Sequence, residues 1–280
     1  MIKAQQLASE FAFTLNCQKT TLHLKDHPSP ATRQALVELI KQRSNQKLSR
    51  ISAPLKAGNE LMFAKVQPLD SFKAKVRVTL SRAQRNGRYD WPLEELINTH
   101  EAHARGANVS RLLGFGYTKS TLGLTKEFFI ITRLLNQHVD GLQWMEQNPH
   151  RIEHFIESSF ELLSALNRKA ITHMDFWAAN VMVSLQEDGL PKAIDLENCF
   201  RATSQYPAET LGFQLGFFYH RDVYRFITES RYDELVVRYI TGIEHIDSAK
   251  FLKVYKASKH EKIGRKERRD IFLSGNLVTG

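Results

Sequence analysis

The stretch ITHMDFWAANVMVSLQEDGLPKAIDLEN, residues 171–198, constrains the chain more tightly than any other. It opens with His173, Asp175 and Asn180 at H-x-D-x-x-x-x-N spacing. Two short apolar runs follow, VMVSL and KAIDL, on either side of the turn residues QEDGLP. Runs of this length bounded by Asp, Gly and Pro read as strands of a hairpin. A hairpin over 181–194 returns Asp195 to the side of Asn180. Two polar fragments that are apart in sequence then share one place.

That place suits phosphate chemistry. Phosphoryl transfer needs a carboxylate to orient or deprotonate the acceptor hydroxyl, and oxygen ligands for Mg²⁺. Asp175 can supply the carboxylate, and Asn180 and Asp195 can hold Mg²⁺. His173 is read as a structural residue that holds the loop. The plain alternative is an ordinary turn network at Asp175 and Asn180, with Asp195 capping a strand end. Order and separation together favour the chemical reading.

The remaining elements come in a definite order. HPSPATRQALVELIKQR predicts a helix that starts near Ser29 with Pro30 in its first position. Apolar runs flank KAGNE, which predicts a hairpin whose second strand, ELMFAKV, contains Lys65 near its end. SFKAKVRVTLSRAQRNGR fits either helix or strand. WPLEELINTHEAHARG predicts a helix, with Pro92 at the start, acids in the first turn and Gly106 at the end. VSRLLGFGYT and LTKEFFIITRLL predict strands, and RIEHFIESSFELLSALNRKA a long helix. From Thr210 onward the pattern is helical. The expected fold class is α+β, with a β-rich N-terminal part over 1–134 and an α-rich C-terminal part over 135–280.

Charge narrows the partners. The chain of 280 residues has 39 Lys and Arg against 30 Asp and Glu, a net charge of +9. The excess gathers at Lys65–Arg88 and at Lys253–Arg269. Such clusters attract anions: a phosphorylated substrate, an anionic membrane face or nucleic acid. No motif with base-reading geometry is present, so nucleic acid is not the expected partner. No run approaches the ~20 apolar residues of a membrane span. MIKAQQLASEFAF has no compact apolar core of a signal peptide. Two cysteines, Cys17 and Cys199, make no disulfide framework. The expected location is cytoplasmic, in contact with the cytoplasmic face of the inner membrane if the basic clusters meet lipid.

H-x-D-x-x-x-x-N followed by an Asp after an apolar run resembles the catalytic loop and metal-binding strand of the protein-kinase-like superfamily. Within it the chain is most similar to the bacterial lipopolysaccharide core kinases, which phosphorylate heptose or Kdo sugars. LMFAKVQPLDSFKAKVRVTLSRAQ resembles their strand ending in F-A-K and the basic stretch after it. LEELINTHEAHARGANVSRLLGFG resembles their glutamate helix and the strand that runs into F-G. FFIITRLL resembles their connector, and LGFQLGFFYHRD a helix of their second lobe. The resemblance runs from about Ile51 to Tyr239. It implies a bilobal kinase fold, ATP and Mg²⁺, and a lipid-linked or small-molecule sugar as acceptor.

The resemblance also implies roles. Lys65 is the strand lysine on the nucleotide phosphates, in competition with Lys73 and Lys75. Glu95 is its helix partner, in competition with Glu94 and Glu101. Asp175 is the catalytic carboxylate, Asn180 and Asp195 are the metal ligands, and the connector with Thr132 and Leu134 meets the adenine. Glu197 is either a further acid on the metal side or a surface acid. The chain departs from the superfamily at several points. Met174 stands where many kinases have Arg. LEN follows Asp195 in place of FG. Arg133 occupies a connector position where an acid is common. The first hairpin offers Gly58 alone in place of a glycine-rich loop. These departures leave two other readings open: a phosphotransferase for a soluble aminoglycoside- or choline-type alcohol, and an inactive kinase-like scaffold.

Overall fold

The computed structural model describes residues 9–44, 50–58, 60–85, 87–186 and 189–277. Residues 1–8 of the opening segment, Asn59 of the KAGNE turn, Asn86 of the basic stretch and residues 187–188 of the QEDGLP turn lie outside them. The chain forms two compact units, Met1–His100 with Ser110–Asn136, and Glu101–Val109 with Gln137–Gly280.

The first unit is built on one antiparallel sheet of six strands. They are β1 (Phe13–Cys17), β2 (Thr20–Leu24), β3 (Ile51–Ala57), β4 (Glu60–Pro68), β5 (Leu112–Lys119) and β6 (Thr125–Arg133), in the spatial order β1-β2-β5-β6-β4-β3. Successive side chains of a strand point to opposite faces. In β6 this splits four consecutive apolar residues between two cores. Phe129 and Ile131 join Met62, Ala64 and Val66 of β4 under helix α1 (Pro30–Ser44), which contributes Leu36, Leu39 and Ile40. Phe128 and Ile130 join Val78 of helix α2 (Phe72–Thr79) and Leu93, Leu96 and Ile97 of helix α3 (Trp91–Ala104). Glu127 keeps the odd register of β6 and pairs at 2.6 Å with Arg43 of α1, both side chains almost wholly buried.

The helix starts follow from their caps. Ser29 Oγ accepts the Thr32 N–H at 3.1 Å, with Pro30 in the first position of α1. Ser71 Oγ accepts the Ala74 N–H at 3.1 Å, which makes the ambiguous basic segment a helix, α2. These are orphan donors of a first turn satisfied by a side chain.

The second unit is mainly helical. It contains α4 (Gly141–Gln147), α5 (Ile152–Arg168), α6 (Pro207–His220), α7 (Glu229–Thr241), α8 (Ser248–His260) and α9 (Arg265–Ser274). Helix α5 buries Ile152, Phe155, Ile156, Ser159, Phe160, Leu163 and Leu166, a stripe at helix spacing. Helix α6 is buried from Ala208 to Tyr219 except at Glu209. It lies close against α8 because Gly212 and Gly216 have no side chain. A Cβ on Gly212 would stand 2.5 Å from the Phe251 carbonyl oxygen, and one on Gly216 would stand 2.6 Å from that of Tyr255. Lys259 of α8 is buried, and its ammonium is bonded to Glu229 at 2.7 Å and Asp233 at 2.6 Å of α7. Short strands complete the unit. β7 (His138–Asp140), β9 (Val181–Ser184) and β10 (Lys192–Ala193) form one small sheet, and β8 (Thr172–His173) pairs with β11 (Cys199–Phe200) in another.

Candidate functional site

In the first unit the strand register positions Lys65. Met62, Ala64 and Val66 face α1, so Lys65 points to the opposite face, beside Ile130 of β6 and toward α3. There its ammonium donates to both carboxylate oxygens of Glu95, at 2.7 and 2.8 Å. Both side chains are less than a tenth exposed. The competing acids are engaged elsewhere. Glu94 accepts the Tyr89 N–H at 2.7 Å, and Glu101 pairs with Arg105 at 2.8 Å. Lys73 is exposed, on α2. Thr132 sits in the ladder, opposite Phe63 on one side and Leu112 on the other. Leu134 spends its N–H on the Leu61 carbonyl at 2.9 Å. Gly58 turns the first hairpin at φ 59°.

In the second unit the loop from His173 is tied together by its own side chains. The Asp175 N–H donates to His173 Nδ1 at 3.2 Å, so that nitrogen is the acceptor. The ring's other nitrogen, Nε2, therefore carries the proton and donates to the Ile194 carbonyl at 3.1 Å. Complete burial holds His173 below its ordinary pKa, as a neutral ring. Asn180 Nδ2 donates to the Asp175 carbonyl at 2.9 Å. The Ile194 N–H donates to the Asn180 carbonyl, and the Met174 N–H to that of Asn198, both at 3.0 Å. Gln214 of α6 bonds the His173 carbonyl at 3.0 Å. The β9–β10 pairing, Lys192 opposite Met182 and Ala193 opposite Val181, closes the hairpin expected from sequence. It sets Asp195 one residue beyond a bond to Asn180.

Asp195 adopts left-handed backbone angles, φ 59° and ψ 58°. Such angles are uncommon outside glycine and least costly for Asn and Asp. The turn they produce separates Asp195 from β10 and starts the short helical turn Leu196–Asn198. Carboxylate oxygens of Asp195 and Glu197 come within 4.8 Å of one another. Asn180 has committed its amide nitrogen, so its oxygen is the atom it can offer. Asn180, Asp195 and Glu197 thus present hard oxygen donors, the kind Mg²⁺ takes, and Lys65 presents the ammonium that a nucleotide phosphate takes.

Sequence reasoning missed the partners of Asp175 and Glu197. Arg268 of α9 donates to Asp175 Oδ1 at 2.5 Å, and Arg265 of the same helix pairs with Glu197 at 2.7 Å. Their only trace in the sequence was the basic cluster Lys253–Arg269, read as one that attracts anions.

No protein-family model matches the sequence, and no curated protein matches it. Among solved structures the chain is similar to WaaP in complex with acyl carrier protein, with a TM-score of 0.52 over 85% of this chain and 97% of that one. The chain has a protein-kinase-like fold. Sequence identity to that structure is 16%. A Stt7 homolog from Micromonas algae soaked with ATP aligns at a TM-score of 0.38 and 16% identity, over 55% of this chain and 47% of that chain. In kinase-like terms, Lys65 and Glu95 belong to the strand–helix pair of the first unit. His173, Asp175, Asn180 and Asp195 belong to the loop and hairpin of the second.

Proposed function

We propose that the chain is an ATP- and Mg²⁺-dependent kinase whose acceptor is a sugar hydroxyl of lipopolysaccharide core. The observation that carries the reading is the hydrogen-bonded frame from His173 to Asp195. It ties the backbones of Asp175, Asn180 and Ile194 together, so that Asp175, Asn180 and Asp195 are carried on one bonded frame and can supply the oxygen groups that phosphoryl transfer uses.

The roles follow from chemistry. Asp175 accepts the hydrogen bond of the acceptor hydroxyl and takes its proton as the oxygen attacks. Neutral His173 holds the Asp175 backbone through Nδ1 and adds no charge to the loop. Asn180 and Asp195 would hold Mg²⁺, which neutralises phosphate charge when bound. Lys65 binds phosphate oxygens, and Glu95 keeps its ammonium in place. The connector with Thr132 and Leu134 is assigned to the base; since the Leu134 N–H is taken, its carbonyl and side chain are what it has to give.

The acceptor class rests on the resemblance of the motif set and on a TM-score of 0.52 to WaaP. The basic clusters support an anionic setting, at the cytoplasmic face of a membrane, only in part. Arg77 is bonded to Asp90 at 2.6 Å, and Lys259 and Arg268 are bonded inside the second unit. Arg82 and Arg85 in one unit, and Lys256, Lys262 and Lys266 in the other, remain exposed. No helix among the described residues is long and apolar enough to cross a membrane.

Thermal unfolding with and without millimolar Mg²⁺–ATP tests the reading, on wild type and Asp195→Asn. A ligand at 100 times its dissociation constant stabilises by about 2.7 kcal/mol. The expected result is a midpoint rise of several degrees in wild type that Asp195→Asn loses. No rise at any ATP concentration would refute the proposal.

A further inference from the structure

Three arginines of the second unit gather around the Asp175 loop. Arg268 lies over the Phe217 ring at 4.2 Å, donates to Asp175, and bonds the Ile263 carbonyl at 3.1 Å. Arg221, at the end of α6, lies over Trp177 at 4.2 Å and faces the same Phe217 ring at 5.7 Å. Trp177 belongs to the loop between Asp175 and Asn180. Arg265 sits one turn before Arg268 on α9 and holds Glu197 with its side chain 69% exposed.

The three arginines are not equally partnered. Arg268 and Arg265 have carboxylate partners in Asp175 and Glu197, whereas Arg221 has no ion pair among the described residues. Burial lowers the pKa of Arg268, Asp175 opposes the lowering, and the charges of Arg221 and Arg265 add to it. Arg221 and Arg265 each stand close enough to Arg268 to oppose its charge. An arginine at a free surface separates from like charge; Arg221 is instead held over the Trp177 ring beside Phe217, and no carboxylate among the described residues pairs with it. Guanidinium forks match phosphate and carboxylate in two-pronged contacts.

We propose that Arg221, Arg265 and Arg268 form an anion subsite for the acceptor, which takes an acidic group carried by the same molecule that presents its hydroxyl to Asp175. The inference rests on the kinase reading. In the free chain Arg268 occupies Asp175. An arriving phosphate or carboxylate gives Arg221 a partner and offers Arg268 a second one, so that Asp175 can turn to the hydroxyl. An acceptor without an acidic group leaves Asp175 paired.

The test uses the full chain and thermal unfolding, with glucose 6-phosphate as probe and glucose as its uncharged control. The expected result is a rise of several degrees with the phosphate and none with glucose. The rise should persist in Lys65→Ala and disappear in Arg221→Gln and Arg268→Gln. Arg221→Gln keeps the test alive should Arg268→Gln fail to fold. If Arg221→Gln keeps the full rise, or wild type shows none, the subsite is overturned, unless Arg221-dependent vesicle binding appears. Mg²⁺–ATP added separately distinguishes the two readings: its shift in wild type upholds the kinase even when the subsite fails. An arginine-dependent phosphate shift with no Mg²⁺–ATP shift upholds the subsite and removes the kinase. Flotation with phosphatidylglycerol vesicles separates the sources. Arg221-dependent vesicle binding assigns the acidic group to a lipid headgroup. An Arg221-dependent sugar-phosphate shift without vesicle binding assigns it to a soluble acceptor. Absence of both overturns the subsite.

Discussion

Each unit contains a cation bound to a carboxylate in a sheltered position, and the two pairs are built differently. Lys65 and Glu95 stand on a strand paired on both sides and on a helix of 14 residues, with their places fixed by sheet register and helix packing. Asp175 stands on a loop, and its partner Arg268 comes from a helix 93 residues further along. In the first pair the proposed working group is the cation, and the acid supports it. In the second it is the acid, and the cation holds it. Regular elements give the first pair permanence; the second is made by two side chains that can exchange partners.

The largest effect expected from breaking this comparison is on transfer. Asp175→Ala should slow phosphoryl transfer about a thousandfold, within the range for general-base groups, while Mg²⁺–ATP still raises the unfolding midpoint. A rate within tenfold of wild type would remove Asp175 from the chemistry. Next comes the first pair. Glu95→Ala leaves a buried ammonium without its carboxylate and should cost about 3 kcal/mol of unfolding free energy, read from urea titration. Lys65→Met with Glu95→Leu should recover most of that loss and still fail to bind Mg²⁺–ATP. If Glu94→Ala costs as much as Glu95→Ala, the assignment of the pair is wrong.

The next effect belongs to His173. Its folded pKa lies below the ordinary 6.5 because burial disfavours the charged ring. As pH falls below about 6.5 the unfolded chain takes a proton before the folded one does. Stability contributed by the neutral ring is full above that pH and is lost on acidification, down to the folded pKa. The slope reaches about 1.4 kcal/mol per pH unit at most. His173→Asn should flatten the fall in urea midpoint between pH 6.5 and 5; an unchanged slope would assign the acid sensitivity to other groups. The smallest effect is the coupling of the second pair. A double-mutant cycle with Asp175→Asn and Arg268→Gln should give about 1 kcal/mol, reduced because both side chains retain some exposure. A coupling near that of Lys65 and Glu95 would erase the distinction between a fixed pair and an exchangeable one.

What could be read in advance follows the same division. Helix α1 was legible because Ser29 and Pro30 mark its start, and the hairpin to Asp195 because turn residues separate two short apolar runs. The β1–β2 hairpin was not. Its turn places Gln18 at φ 53° with no glycine or Asn-Gly signal, and its inward residues, Leu15, Leu22 and Leu24, are too few to show a period. The basic stretch at α2 fitted two periods, and the cap at Ser71 decided it. Arg268 and Arg265 were counted only as part of a basic cluster because nothing local distinguishes a lysine or arginine in water from one bonded to a distant carboxylate. Lys259 was hidden in the same way; it is buried, and its acids lie on another helix. Local rules report position within an element. They say nothing of which elements meet.

The two-faced strand β6 has a consequence for how the chain can change over generations. Point substitutions at Phe128 or Phe129 damage one core each. A single inserted codon within β4, between Met62 and Lys65, would do something different, because side chains alternate and a shift of one position exchanges the faces. The lysine would turn toward Leu36 and Ile40, and apolar residues would turn toward Glu95. Such a frame-preserving insertion should abolish the proposed nucleotide binding even where every residue type is kept, whereas two inserted codons restore the alternation. The tolerance of this strand to length changes should therefore be odd–even, and a library of one- and two-codon insertions would display it directly.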